Sequence, residues 1–384
     1  MSAKEKHIIS CEYPPQIGGV SDYTRLIAHG LAARGESIHV WGPSFEQNVT
    51  EKVEGVVIHR SLGKFSPADL CKTDHELKQF GSPLDILVQW VPHGYGYRSL
   101  NLFFCVWLWK RAFLNRDKIQ LIVHEPCLAF GEGSWKQNLA AAFHRIMLIF
   151  LLGSTRLVWV TIPEWEKRLK FYTLGRKIKF IWLPLSSNVE VENFSGDILK
   201  SKQQLMEEKK YLIGHFGTYS KSIITMLLSF LPNLLENNPL MMILLLGSGS
   251  ENFYNDFILR YPNLKKQMRA FGYLPSKELS NYLSLCDVMF QPYPEGVNSR
   301  HTSAMAGLCH GIPLVATCGK MTEPIWFENE SVKLISTGNE KGLMEALKNI
   351  LVHDTEKNRL SEAAKKFYEK NFSWERTIDA LLLS

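Results

Sequence analysis

The sequence predicts an α/β fold built from two doubly wound domains, and three observations predict it. Short apolar runs alternate with helix-like stretches along most of the chain, as in a parallel sheet covered on both faces. The alternation breaks once, in a Ser-, Asn-, Glu- and Lys-rich stretch from Ser186 to Gln204, and then resumes. The 384 residues match two domains of roughly 150 residues each. The domains are placed at residues 1–188 and 205–370, facing each other across a cleft.

His7 to Cys11 is the first strand-like run, and the turn Glu12 to Gly19 leads into a helix over Val20 to Arg34. Gly35 stands where a helix ends in a left-handed residue, and Ser37 to Trp41 completes a βαβ unit. Asp85 to Trp90 is a strand, Leu100 to Phe113 a helix, and Ile119 to Val123 a strand that ends at His124. Leu157 to Thr161 and Lys179 to Leu183 are further strands. The second series has strands at Tyr211 to Phe216, Leu240 to Leu246, Asp287 to Gln291 and Ile312 to Thr317. In such sheets ligands bind beyond the carboxyl ends of the strands.

A hydrophobic content of 45% with 21% charged residues excludes disorder as the main state. A net charge of +6 is too mild to argue for nucleic acid. Seven scattered cysteines without a CxxC spacing are expected to be reduced thiols in a cytoplasmic protein. No signal peptide of the usual form is visible at Met1 to His7. The apolar tract Ile146 to Val160 is interrupted by Gly153-Ser154-Thr155-Arg156. It falls short of the roughly 20 residues that cross a bilayer and is expected to be a helix end, a turn and a strand. From Arg98 to Lys179 there are 14 basic and 5 acidic residues, with half of the ten tryptophans. Two readings stay open for this +9 segment. One is a solvated basic face, with Leu102 to Leu108 as a core helix. The other is an anionic or membrane-surface partner, with peripheral attachment at the inner membrane.

Glycines Gly18 and Gly19 precede a helix whose free N–H groups suit an anion, or else form an ordinary tight turn. His124 ends a buried strand, where an imidazole either serves a sugar hydroxyl and proton transfer or is structural. Gln89 and His93 stand similarly on the preceding strand. The densest segment runs from Pro292 to Thr317: a loop of small polar residues opens a helix that ends at Gly311. Arg300, His301, Thr302 and Ser303 lie at its start. Hydroxyls, a guanidinium and backbone N–H groups at a helix N-terminus make a phosphate site.

The order of these pieces resembles the group-1 family of retaining glycosyltransferases with the GT-B fold. The marks are Gly18-Gly19, His124, Gly247-Ser248-Gly249, Phe271-Gly272-Tyr273-Leu274, Leu285-Cys286-Asp287-Val288 with Pro292, and Gly311-Ile312-Pro313-Leu314-Val315-Ala316. The tail Phe372-Ser373-Trp374-Glu375-Arg376 also fits. The resemblance implies two Rossmann-like domains and a last helix, 371–384, that crosses back to the first. It implies a nucleoside diphosphate sugar as co-substrate, with no cofactor and no metal. Gly217, Thr218, Lys221, Tyr273, Leu274, Ser299, Arg300, His301, Thr302 and Ser303 would hold this donor in the second domain, with Gly18 and Gly19 closing over it. A saccharide, lipid-linked or small-molecule acceptor would lie in the first domain near Glu12, Tyr13, Gln89 and His93, and His124 matches the family's catalytic histidine. The family's two glutamates, eight positions apart, fall here on Asn298 and Ala306. A divergent transferase and a non-catalytic scaffold that binds nucleotide-sugar or glycan are both compatible with that departure. In the front-face mechanism the leaving phosphate takes the acceptor proton, so no protein base is required.

Overall fold

The computed structural model describes residues 5–44, 50–96, 100–131, 134–192 and 198–383. The chain divides into two compact units, Met1–Pro184 with Trp374–Ser384, and Leu185–Ser373. The division comes before residue 188 because Leu185 N–H already donates to Ser299 O at 2.9 Å and Ser187 N–H to Tyr368 Oη at 3.2 Å. Residues 193–197 of the expected linker, and Arg98 of the basic segment, lie outside the described residues.

The first unit runs β1 (Glu5–Ile9), α1 (Gly19–Ala33), β2 (Ser37–Trp41), β3 (Thr50–Val53), β4 (Val56–His59), α2 (Pro67–Leu77), β5 (Asp85–Trp90), α3 (Leu102–Lys110), β6 (Lys118–Val123), α4 (Trp135–Ser154), β7 (Thr155–Val160), α5 (Pro163–Lys170) and β8 (Lys179–Trp182). Its sheet has the order β3-β4-β2-β1-β5-β6-β7-β8. Only the β3–β4 pair is antiparallel. Ile86 to Trp90 of β5 are all buried, as expected for a strand covered on both faces. Strand order reverses between β1 and β5, so the loops after these two strands flank the crevice where a ligand would sit in this sheet.

The second unit runs α6 (Ile198–Met206), β9 (Tyr211–Phe216), α7 (Lys221–Glu236), β10 (Met241–Leu246), α8 (Ser250–Arg260), β11 (Met268–Ala270), α9 (Ser276–Leu285), β12 (Val288–Gln291), α10 (Thr302–Cys309), β13 (Leu314–Cys318), β14 (Val332–Ser336), α11 (Glu340–Val352) and α12 (Asp354–Phe372). Its sheet is parallel throughout, in the order β11-β10-β9-β12-β13-β14. The reversal here lies between β9 and β12. Ile213, Ile243, Leu245 and Phe290 pack with Leu231 and Leu235 of α7 and Leu347 of α11 in its core.

The last helix, α13 (Trp374–Leu382), returns to the first unit and packs on α1. Gly30 of α1 makes room for it, since a Cβ there would run into Ile378. Lys6 Nζ donates to Leu381 O at 3.0 Å, and Arg34 pairs with Asp379 at 2.7 Å. The expected turn inside 146–160 is absent: α4 runs through Gly153 to Ser154, and β7 starts at Thr155. Among the described residues no helix is long and apolar enough to cross a membrane.

Candidate functional site

In the second unit, the loops after β9 and β12 meet the start of α10. A Cβ on Gly217 would lie 3.8 Å from Ser303 Oγ. Gln291, the last residue of β12, donates from Nε2 to Phe216 O at 2.9 Å. Gly247, at φ +103°, lets the β10 exit pass against the Gly217 carbonyl. Tyr293 lies face to face with His301 at 3.7 Å and hydrogen-bonds Ser303 Oγ through its hydroxyl at 2.8 Å. Burial pushes that hydroxyl's pKa up. Burial, and then Arg300, hold His301 well below the usual histidine range. His301 is therefore neutral, and its Nδ1 accepts the Asn298 N–H at 3.0 Å.

His301 is the N-cap of α10 but makes no side-chain cap bond, and the first turn carries no acidic residue. The positive end of this helix, with the Thr302 and Ser303 amides, is thus not neutralised by a capping side chain. Helix α1 differs. There Glu12 Oε1 accepts the Val20 and Ser21 N–H groups, each at 2.9 Å. A Cβ on Gly18 would overlap that carboxylate, whereas Gly19 has open space. The Val20 and Ser21 amides behind Gly18 and Gly19, expected to face a donor phosphate, hold Glu12 Oε1 in this structure. Gly18→Ala is expected to displace the carboxylate and lower the unfolding free energy by about 1–2 kcal/mol. Glu12→Gln should lose less, because it keeps one acceptor oxygen. Urea unfolding of the two variants checks the order, and an unchanged midpoint for Gly18→Ala would refute it.

The register Trp90↔Val123 between β5 and β6 brings Gln89 and His124 together: His124 Nε2 lies 2.8 Å from Gln89 Oε1. Tyr23 of α1 meets the imidazole edge-on at 5.2 Å. Burial lowers the His124 pKa to about 4, so the ring is neutral, with Nε2–H donating to Gln89. His93 is not part of this pair: it is exposed, with Nδ1 3.8 Å from Glu125. Tyr13 is 2% exposed, under the Arg60 guanidinium.

Among the remaining donor candidates, Ser299 is engaged within the protein. It is fully buried, and its N–H and Oγ both donate to the Glu323 carboxylate, which also accepts Trp326 Nε1–H at 2.9 Å. Ser299 therefore ties the loop before α10 to the segment after β13. Nothing in the residue pattern marks Glu323, which lies beyond the motif-rich stretch. Thr218, Lys221 and Tyr273 are exposed and Leu274 is half-buried. Ala306, where the family pattern would put its second glutamate, is fully buried.

Residues 197–367 match the family model of the glycosyl transferases group 1. No curated protein sequence matches the chain. Among solved structures, a sucrose-phosphate synthase from Thermosynechococcus elongatus superposes with a TM-score of 0.73 at 17% identity, covering 99% of this chain and 98% of that one. A UDP-forming α,α-trehalose-phosphate synthase from Burkholderia xenovorans, in complex with glucose-6-phosphate, gives 0.69 at 14% identity, over 99% and 100% of the two chains. Anabaena HepE in complex with UDP-glucose gives 0.65 at 17% identity, over 98% of each. The second unit of this chain thus carries the match to the glycosyl transferases group 1, in a chain with the two-domain GT-B fold.

Proposed function

We propose that the protein transfers a sugar from a nucleoside diphosphate sugar to an acceptor hydroxyl, with retention and without a metal. The observation that carries this reading is the uncapped N-terminus of α10 beside the switch point between β9 and β12, inside the family match. Preformed amide and hydroxyl donors at Thr302 and Ser303, with the Arg300 charge one residue before the cap, would stabilise the leaving diphosphate. The lack of a side chain at Gly217, whose Cβ position has no neighbour nearer than 3.8 Å, leaves room for the donor to approach closely. His124 enters as a neutral hydrogen-bonding group, because a ring with a pKa of about 4 does not take up a proton at neutral pH. Two of the similar structures, HepE with UDP-glucose and the UDP-forming synthase, favour a uridine diphosphate sugar as the first donor to try.

The test is release of nucleoside diphosphate from a panel of sugar donors by the purified chain, with candidate saccharide acceptors. The anomeric configuration of the product and the effect of a chelator are read in the same assay. Arg300→Ala is expected to weaken nucleoside diphosphate binding by about 1.5–3 kcal/mol, roughly 10- to 150-fold in Kd. Calorimetry showing unchanged affinity would remove Arg300 from the site. A second reading, a nucleotide-sugar-binding scaffold, is favoured by one observation. Asn298 and Ala306, at the positions of the acidic pair, are both fully buried. Tight donor binding with no turnover on any acceptor would select it.

A further inference from the structure

We propose that the exposed face of α3 and α4, with the turn that follows α5, docks on an anionic lipid bilayer surface. Each helix is apolar on two sides. Helix α3 buries Phe104, Cys105 and Leu108, and α4 buries Met147, Leu148 and Leu151. The opposite sides are also apolar but exposed. On α4, Trp135 is 71% exposed and Leu139 62%, four residues apart on one stripe that continues to Ile146. Phe113 and Leu114, just after α3, are 71% and 74% exposed, and Phe171 and Leu174, just after α5, are 80% and 70%.

These residues sit on adjoining elements. A Cβ on Gly153, near the end of α4, would come 3.1 Å from Trp109 Cδ1, and Trp109 stacks on Phe113 at 5.4 Å. Arg176, two residues past Leu174, bonds from Nη1 to the Leu152 and Gly153 carbonyls. Isolated exposed apolar residues are ordinary, but seven on neighbouring elements mark an interaction surface.

Charge selects the occupant. Lys110, Arg116, Lys136 and Lys177 border this face, are exposed, and pair with no carboxylate among the described residues. The nearby carboxylates Glu164 and Glu166 are matched by Lys167, Arg168 and Lys170. Arg111 is not part of the surface, being buried between Asp74 and Asp117 at 2.7 Å from each. Aromatic rings flanked by unpaired cations suit the boundary between anionic headgroups and acyl chains, with the lysine stems lying along the apolar surface. A second copy of this chain would set the same basic face against itself, which is repulsive.

The experiment is flotation of the full chain with vesicles of phosphatidylcholine alone, or of phosphatidylcholine with phosphatidylglycerol, at low and high salt. Binding is expected only to the anionic vesicles and should fade as salt rises. The double variants Phe113→Ser/Leu114→Ser and Lys110→Glu/Lys177→Glu are each expected to reduce partitioning about tenfold or more. Their thermal midpoints should stay within a degree or two of the parent, about the shift of a surface change of a few tenths of a kcal/mol. Absence of binding to anionic vesicles at low salt would overturn the proposal. So would binding that neither variant weakens. Dimerisation without vesicle binding, abolished by Phe113→Ser/Leu114→Ser, would also overturn it, by making the face a self-interface.

Discussion

Lowering the pH from neutral to 5 is expected to remove several kcal/mol from the unfolding free energy of the first unit. Three imidazoles stand side by side on its sheet. His39 Nδ1 lies 2.9 Å from His59 Nε2, the His7 and His39 rings are 5.2 Å apart, and Trp41 Nε1 donates to His7 Nδ1 at 3.1 Å. Phe80 closes over all three, and His7 Nε2 is buried without a hydrogen-bond partner. Burial, and then the neighbouring histidines, push the His7 pKa down to about 3 and His59 to about 4. Burial lowers His39 as well, although Glu5 opposes this, and His124 is at about 4. Each folded value lies below the unfolded value of about 6.5, so the unfolded chain binds more protons. Stability is complete above about pH 6.5 and is lost as pH falls toward the folded values. At pH 5 that is about 2 kcal/mol for each of His7, His59 and His124, against a total of roughly 5–15 kcal/mol for a domain. Urea unfolding at pH 7.5, 6 and 5 reads the slope, and few carboxylates have yet titrated at about pH 5. His59→Gln should flatten the slope by about one proton. A free energy that stays level across this range would show that these rings are charged, or solvated, in the folded chain.

The residues show why some of this was legible in sequence and some was not. Strand β10 is an unbroken run of buried apolar side chains, and β5 and β9 are mostly apolar and buried, so composition locates all three within a residue. Helix α1 is marked at its end by Gly35, which takes φ +90°. Strand β3 escaped because Thr50 to Val53 is exposed along its whole length and carries no apolar alternation. Strand β11 has three residues, and β14 is a half-exposed edge strand. At the candidate site, the opening of α10 stood out because Arg300, Thr302 and Ser303 are polar residues gathered before an apolar helix. The pairings did not stand out. Gln89 meets His124 through strand register across 35 positions, and Glu12 reaches back onto helix amides eight and nine residues ahead. A periodic pattern shows which face of an element is buried, but not which distant side chain completes a polar contact.

Glu323→Ala is expected to lower the unfolding free energy of the second unit by about 3 kcal/mol or more and to weaken nucleotide binding with it. The carboxylate is 7% exposed, and burial raises its pKa while the Ser299 and Trp326 donors oppose that. Its removal leaves the Ser299 N–H, the Ser299 hydroxyl and the Trp326 indole N–H without their acceptor, all in fully buried residues. A buried donor left unpaired costs about 1–3 kcal/mol, so three of them outweigh the favourable loss of a desolvated charge. Trp326 also stacks on Phe372 at 5.6 Å, which limits how far it can move to find water. The functional consequence follows from position. Ser299 lies next to Asn298, whose N–H donates to His301 Nδ1 and whose Oδ1 accepts the Arg300 N–H at 3.2 Å. Loosening Ser299 therefore shifts Arg300 and the cap of α10 together. Glu323→Gln retains one acceptor oxygen and should fall between the parent and Glu323→Ala in both unfolding free energy and nucleotide affinity. If Glu323→Ala unfolds within about 0.5 kcal/mol of the parent, the size of an ordinary surface substitution, the carboxylate does not hold this loop. If stability falls but affinity for a nucleoside diphosphate is unchanged well below the unfolding transition, the α10 cap does not depend on Ser299.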